Sequence, residues 1–499
     1  RELAAGTLEP VNLLYPAIHV VGVAVAELGD VPLTTGILVV SLLVFPLVFL
    51  AFVPLCVQLL AGSDRAAAVG LLAAALFVPI NNISIHPIAH PASQAVLFLP
   101  FVLFVVMRYL TGTRWTEGGL ASVASRVTPF GILLAVVSAA VVLVHPQQAL
   151  NVVAVFATIA GMQALYRRYR STHPIVDHRP LYAQTLLIAV LFGLWAPRFD
   201  TVSGTVTATL ASVVGDASAG GVVAAKSQSL TAVGGDIIGL FVRLFLPGVV
   251  LSLLAAILLV GVVRVERAGD EPEAGGLLVY VAAALVPLLA AFALLAASSA
   301  GDMYFRYQGF IMVFVTLLAG VTLTKLLTAS ATSRFPLSRP SVSWLVAVLF
   351  VLLLPVAGMA LHPSPYMSQP TPHVPATQTG GYAGAFDHRV PNQQFSGIRG
   401  GPRRFVDAAY GTERAETSLD FPGYEDRLPE PVFNTGNYTD YYDEDRYVAV
   451  TRANYEREVR LYGEFRYAER GFERLDATPD VGRVRSNDGF GLYYVDAEE

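Results

Sequence analysis

Apolar residues run through most of this chain in long blocks separated by short polar breaks. Blocks of about 20 residues match the thickness of a bilayer's hydrocarbon core. Those that read as spans cover approximately residues 33–61, 66–82, 92–110, 127–145, 147–166, 181–196, 238–262, 276–298, 308–326 and 343–361. Beyond residue 361 the pattern turns polar, acidic and rich in tyrosine, with short alternating runs such as RYVAV (446–450) and GLYYV (491–495) that predict strands. A helix is expected around RANYEREVRLYGEF (452–465), after the proline-rich linker HPSPYMSQPTPHVP. The expected fold is an α-helical polytopic membrane protein of about ten transmembrane helices with a small C-terminal extracytoplasmic α+β or β-rich domain. Its parts are an outer loop and interfacial helix (1–32), a multi-span domain (33–361) and the C-terminal domain (362–499).

Composition supports that reading: 54% of the 499 residues are hydrophobic, 14% are charged and the mean hydropathy is +0.56. Arg65, then Arg108, Arg114 and Arg126, then Arg167, Arg168, Arg170 and Arg179, then Arg264 and Arg267, then Lys325, Arg334 and Arg339 fall at every second connection. The positive-inside rule assigns those connections to the cytoplasm and the alternate ones, with the C-terminal domain, to the outside. The short apolar stretch LLYPAIHVVGVAVAEL (13–28) must then lie at the outer interface or re-enter from it, with Pro16 at a helix start. Arginine in place of nearly all lysine and an excess of acid resemble proteins of salt-loving archaea. The single cysteine, Cys56, allows no intramolecular disulfide.

On this topology most candidate chemistry collects on the outer face. HPIAH places His86 and His90 four apart, a spacing that suits zinc on a helix, but Pro91 pushes His90 towards an extended conformation. A divalent metal is therefore not indicated, and the pair reads as a polar loop or a pocket wall. His145 opens the tight turn HPQQ, a proline turn that a second His-Pro turn on the same side draws towards a shared pocket. Tyr15 and His19 stand four apart; Asp302 and Arg306 lie at the outer mouth of a span in GDMYFRYQGF; Arg198 begins the long outer segment. Each arginine is either an interfacial anchor or a grip for phosphate. The small-residue segment 200–236 reads as a lid or a connector, and NIS at Asn82 and NYT at Asn437 fit the glycosylation acceptor pattern. There is no Walker loop and no basic patch, so neither nucleic-acid binding nor ATP-driven pumping has support.

The outer loop ending in YPAIHVVGVAVAELGDVPL, the many spans with short loops, the late RY at an outer helix end and the C-terminal outer domain resemble the GT-C superfamily of membrane glycosyltransferases. The resemblance is to the archaeal and bacterial mannosyltransferase and arabinosyltransferase type, and covers residues 1–330 as architecture. It implies a cell-envelope enzyme that moves a sugar from a polyprenyl-phosphate donor to a protein or glycan acceptor on the outer face. The lipid-phosphate sugar is then a substrate, and no cofactor is implied with certainty. It places a catalytic acidic base after a first span upstream of Arg1, so that base is unknown here. Tyr15, His19, His86, His90, His145, Arg198, Asp302 and Arg306 are the expected substrate-binding residues. A transporter or flippase, or a non-catalytic anchor for the C-terminal domain, are the alternatives.

Overall fold

The computed structural model describes residues 3–6, 8–79, 89–112, 128–214, 237–268, 276–297, 303–328, 339–371, 373–411, 419 and 421–497. These residues fall into two compact units, one of helices up to His362 and one formed by the chain from Pro363 onward.

The first unit is helical throughout. After α1 (Pro16–Gly29) come α2 (Leu33–Ala61), α3 (Ala66–Phe77), α4 (Pro91–Leu110), α5 (Pro129–Val144), α6 (Pro146–Tyr169) and α7 (Tyr182–Trp195). There follow α8 (Asp200–Val214), α9 (Ile237–Ala268), α10 (Leu277–Ala297), α11 (Met303–Thr328) and α12 (Arg339–Met359). Each block read as a span is a helix. Seven of the described helices are long and apolar enough to cross a membrane, which makes this a multi-pass membrane protein. Among the remaining blocks, α3 and α5 are shorter apolar helices, and the helix from Tyr182 to Arg198 bends by 99° into residues 202–209. The segment read as a lid or connector therefore opens as helix α8. Asp200 sits in its first turn, where a negative charge suits the helix dipole, and the Thr207 hydroxyl folds back onto the Ser203 carbonyl. Residues 215–236 lie outside the described residues.

Close helix packing rests on small residues. A Cβ on Gly36 would stand 2.6 Å from the Gly22 carbonyl oxygen, and one on Gly22 would stand 2.7 Å from Ile37, so α1 and α2 pack backbone to backbone. Asp30, with φ 49°, closes the turn between them. Gly320 of α11 meets Val57 of α2 in the same way, and Gly70 of α3 meets Pro54. Thr322 hydroxyl donates to the Leu254 carbonyl across to α9 at 2.8 Å, and Phe49 stacks on Phe77 at 4.6 Å. The innermost spans are α11 and α4, with 78% and 72% of their most apolar 18-residue stretch buried against 17% for α12. They form the axis of the bundle, and their ends carry Arg306 and His90.

The second unit opens with α13 (Ala376–Asp387) and builds a four-stranded sheet in the order β1 (Gln394–Gly397), β2 (Arg446–Thr451), β4 (Phe490–Val495), β3 (Val481–Asn487). The two strands read from sequence are its central antiparallel pair, with Val448 opposite Tyr493 and Arg446 opposite Val495. Their period-two alternation fills both faces: Val448, Val450, Tyr493 and Val495 enter one core, and Tyr447, Ala449, Phe490 and Leu492 enter the other. The expected helix after β2 starts on a Thr451–Asn454 capping box and widens into a π-helical turn over Glu456–Leu461. It stops short of residue 465 because Gly463 and Glu464 take positive φ.

Candidate functional site

The residues at the start of α6 organise the first polar cluster. His145 ends α5 in an extended conformation, and Pro146 takes the first position of α6, where its missing N–H costs nothing. The His145 side chain caps the new helix, its Nδ1 accepting from the Gln148 backbone N–H at 3.4 Å. That bond assigns the proton of the neutral ring to Nε2. The ring is 4% exposed and stacks on Tyr15 with centroids 5.0 Å apart and planes 17° apart. Burial first, then the Arg306 guanidinium and His90, pull His145 down to about 3. At neutral pH it is therefore an uncharged N–H donor rather than a cation or a base.

Arg306 completes the cluster from the first turn of α11. One guanidinium nitrogen, Nη1, donates to Gln147 Oε1 at 2.9 Å, and the Arg306 carbonyl accepts from Gln148 Nε2 at 3.4 Å. Gln148 Oε1 in turn accepts from Asn151 Nδ2 at 2.9 Å. Among the described residues no carboxylate pairs with Arg306, and its side-chain hydrogen bond there is to a neutral amide oxygen. Burial pushes the Tyr15 hydroxyl up, with the Arg306 charge opposing in part. A half-buried cation whose partners among the described residues are neutral amides favours an anionic ligand. Nearby, one turn into α4 from His90, Gln94 is 1% exposed and its Oε1 has no hydrogen-bond partner among the described residues.

Of the residues expected from sequence, the structure brings Tyr15, His145 and Arg306 together, with His90 within electrostatic reach of His145. His90 is extended, as Pro91 requires, at the N-cap of α4, and its Nδ1 lies 2.9 Å from the Ser93 hydroxyl. His19 is half-buried on α1, and burial lowers its basicity. Arg198 is tied elsewhere, to the Val11 carbonyl at 3.3 Å and over the Trp195 ring at 5.1 Å. His86 and Asp302 lie outside the described residues, as do Asn82 and Lys226. Sequence reasoning passed over Gln147, Gln148 and Asn151. Their signal was three amides within the first turn and a half of an otherwise apolar helix.

A second polar cluster occupies the other end of α6. Glu266 of α9 accepts from the Tyr166 hydroxyl at 2.7 Å, pairs with Arg170 at 3.2 Å, and lies 3.1 Å from His173 Nε2. Gln163 ties the neighbouring loop, donating to the Arg179 carbonyl at 2.8 Å and accepting from the Leu181 N–H at 2.9 Å. His178 lies 3.2 Å from the Tyr280 hydroxyl, and burial, partly offset by Asp177, lowers it to about 4. Among the described residues no group of three His, Cys, Asp or Glu side chains is placed to hold a metal ion.

No protein-family model matches the sequence, and no curated protein matches it. Among solved structures, the chain is similar to ArnT from Cupriavidus metallidurans bound to undecaprenyl phosphate, at 12% identity over 95% of this chain and 86% of that one, with a TM-score of 0.45. A likeness of that degree carries no inference about chemistry.

Proposed function

We propose that the protein is a GT-C-type glycosyltransferase that moves a sugar from a polyprenyl-phosphate-linked donor to a protein or glycan acceptor on the outer membrane face. The observation that carries this reading is Arg306, a cation in the first turn of a span, held by the amide of Gln147 with no carboxylate partner among the described residues. A lipid phosphate keeps its headgroup at the depth of a helix end, where a planar guanidinium suits its oxygens. The buried, neutral His145 adds an Nε2–H donor, and the Oε1 of Gln94, without a partner among the described residues, can accept a hydrogen bond from a sugar hydroxyl.

In the reaction an acceptor oxygen attacks the anomeric carbon. The bond from that carbon to the phosphate oxygen breaks, and its electron pair stays on the departing polyprenyl phosphate. Arg306 and His145 act on that growing negative charge. The acceptor's proton passes to a carboxylate, which remains unassigned.

The test is transfer of radiolabelled sugar from a synthetic polyprenyl-phosphate donor by the purified protein in liposomes. Arg306→Gln is expected to lower the rate about 100-fold, the scale of losing one charge-stabilising donor. Stoichiometric donor binding without transfer would instead assign the same end of the bundle to a lipid-phosphate flippase.

A further inference from the structure

The C-terminal unit carries a cavity of its own, about 730 Å³ in volume, walled by residues 363–365, 369–371, 373 and 375, the start of α13, the helix after β2 and the tip of the β3–β4 hairpin. That volume suits a small ligand or one to three sugar rings. Prolines 363, 365, 370 and 375 stiffen one wall.

Two wall residues are left with unmet bonding capacity. Gln378 is 7% exposed, and its amide makes no hydrogen bond among the described residues. Arg457 is half-buried in the wall, its Nε is enclosed with no acceptor, and no carboxylate pairs with it among the described residues. The neighbouring arginines differ. Glu456 pairs with both Arg452, at 3.6 Å, and Arg460, at 3.2 Å. Glu458, the carboxylate adjacent in sequence, is fully buried and engaged by Arg399. Burial, with Arg399 nearby, also lowers the affinity of Arg457 for its proton. A partly desolvated guanidinium that pairs with no carboxylate among the described residues, its charge offset in part by the buried Glu458, lies beside the Gln378 amide and makes a site for an anion that also carries hydroxyls.

We propose that this cavity binds an acidic saccharide, its carboxylate or acid ester on the Arg457 fork and its hydroxyls on the Gln378 amide. The cavity shares Arg452, Glu456, Arg460, Asp488 and Gly489 with a second hollow of about 420 Å³ lined by Tyr455 and Phe472. Those aromatic faces match the C–H face of a pyranose ring. An oligosaccharide reaching across the shared wall from one hollow to the other places its acidic sugar at the Arg457 end. Nothing in this assignment depends on glycosyl transfer, because the binding needs no lipid donor.

Isothermal titration of the intact protein in lipid nanodiscs tests it, with tetragalacturonate, the neutral maltotetraose and sodium sulfate as probes. Tetragalacturonate is expected to bind at least tenfold more tightly than maltotetraose, and Arg457→Gln to weaken it at least tenfold. Arg457→Lys, which keeps the charge without the planar fork, falls between. Equal binding of the two oligosaccharides, or unchanged binding by Arg457→Gln, overturns the proposal. Sulfate binding as tight as the saccharide reduces the site to a simple anion site and overturns its saccharide part. Should Arg457→Gln fail to fold, the native protein still decides: absence of tetragalacturonate binding, or affinity indifferent to added salt, overturns it.

Discussion

The two ends of α6, ~36 Å apart at 1.5 Å per residue, hold the same kinds of side chain in opposite electrostatic states. Each has a histidine pulled below its ordinary range by burial with a tyrosine beside it, His145 with Tyr15 and His178 with Tyr280, and arginine brought in from the chain around it. At the Tyr169 end, Glu266 sits among Tyr166, Arg170 and His173 and supplies the negative charge. At the Pro146 end, among the described residues, Gln147 stands where a carboxylate would balance Arg306. A cluster complete in itself holds helices together. A cluster lacking its counter-charge keeps affinity for an anion from outside, at some cost to its own stability.

Making the Pro146 end resemble the other is the strongest way to break this contrast. Gln147→Glu gives Arg306 an internal carboxylate at the position of the present amide and is expected to weaken binding of polyprenyl phosphate by about 100-fold, the scale of one lost charge-stabilising contact. Fluorescence titration with the lipid phosphate checks it. An affinity unchanged by Gln147→Glu would show that Arg306 does not meet the phosphate. The converse change, Glu266→Gln, strips the counter-charge from the Tyr169 end. Arg170 is 46% exposed in its side chain, so solvent screening limits the loss to about 1–2 kcal/mol. The expected readout is a lower melting temperature with transfer per folded molecule unchanged.

The apolar blocks made the helices legible because a span must satisfy its own backbone and present apolar side chains for about 20 residues. The alternating arginines sorted the helix ends, and the contacts agree with the sorting. Tyr15, His145 and Arg306 meet at one end, whereas Leu110, Arg179, Tyr166 and Glu266 belong to the other. RYVAV and GLYYV were legible as strands from their alternation, but their pairing was not, since Val448 and Tyr493 are 45 residues apart and only tertiary packing joins them. Within the site, histidines and arginine stood out as chemical groups. The glutamines did not, because an amide near a helix start reads equally well as a cap, and its role depends on Arg306 arriving from a segment 159 positions away.

Acid separates the two ends more gently. His145 is held at about 3 and His178 at about 4, both below the ordinary 6.5. The unfolded chain takes up protons first as pH falls, so the stability tied to each neutral ring is complete above about pH 6.5. It is then lost progressively, down to about pH 4 for His178 and about pH 3 for His145. Histidine-selective isotope labelling should show both rings neutral from pH 5 to 8, with His178 titrating first on further acidification. An inflection in the transfer rate near pH 6.5 that disappears in His145→Gln would overturn the assignment of His145 as a neutral donor.

The smallest effect isolates the ring that closes the Pro146 end. Tyr15 touches His145 through its face, at a 5.0 Å centroid distance and a 17° angle, and no hydrogen bond of its hydroxyl is present among the described residues. Tyr15→Phe keeps the stack and is expected to change lipid-phosphate affinity by no more than about threefold, within the range of a lost exposed polar contact. Tyr15→Ala removes the ring that covers His145 and readmits water. Less desolvation raises the imidazole's affinity for protons, so the His145 titration should move up towards 6.5 in the alanine variant and stay near 3 in the phenylalanine one. If both variants leave that midpoint in place, the burial of His145 comes from the helices alone, and the N-terminal segment is not part of the site.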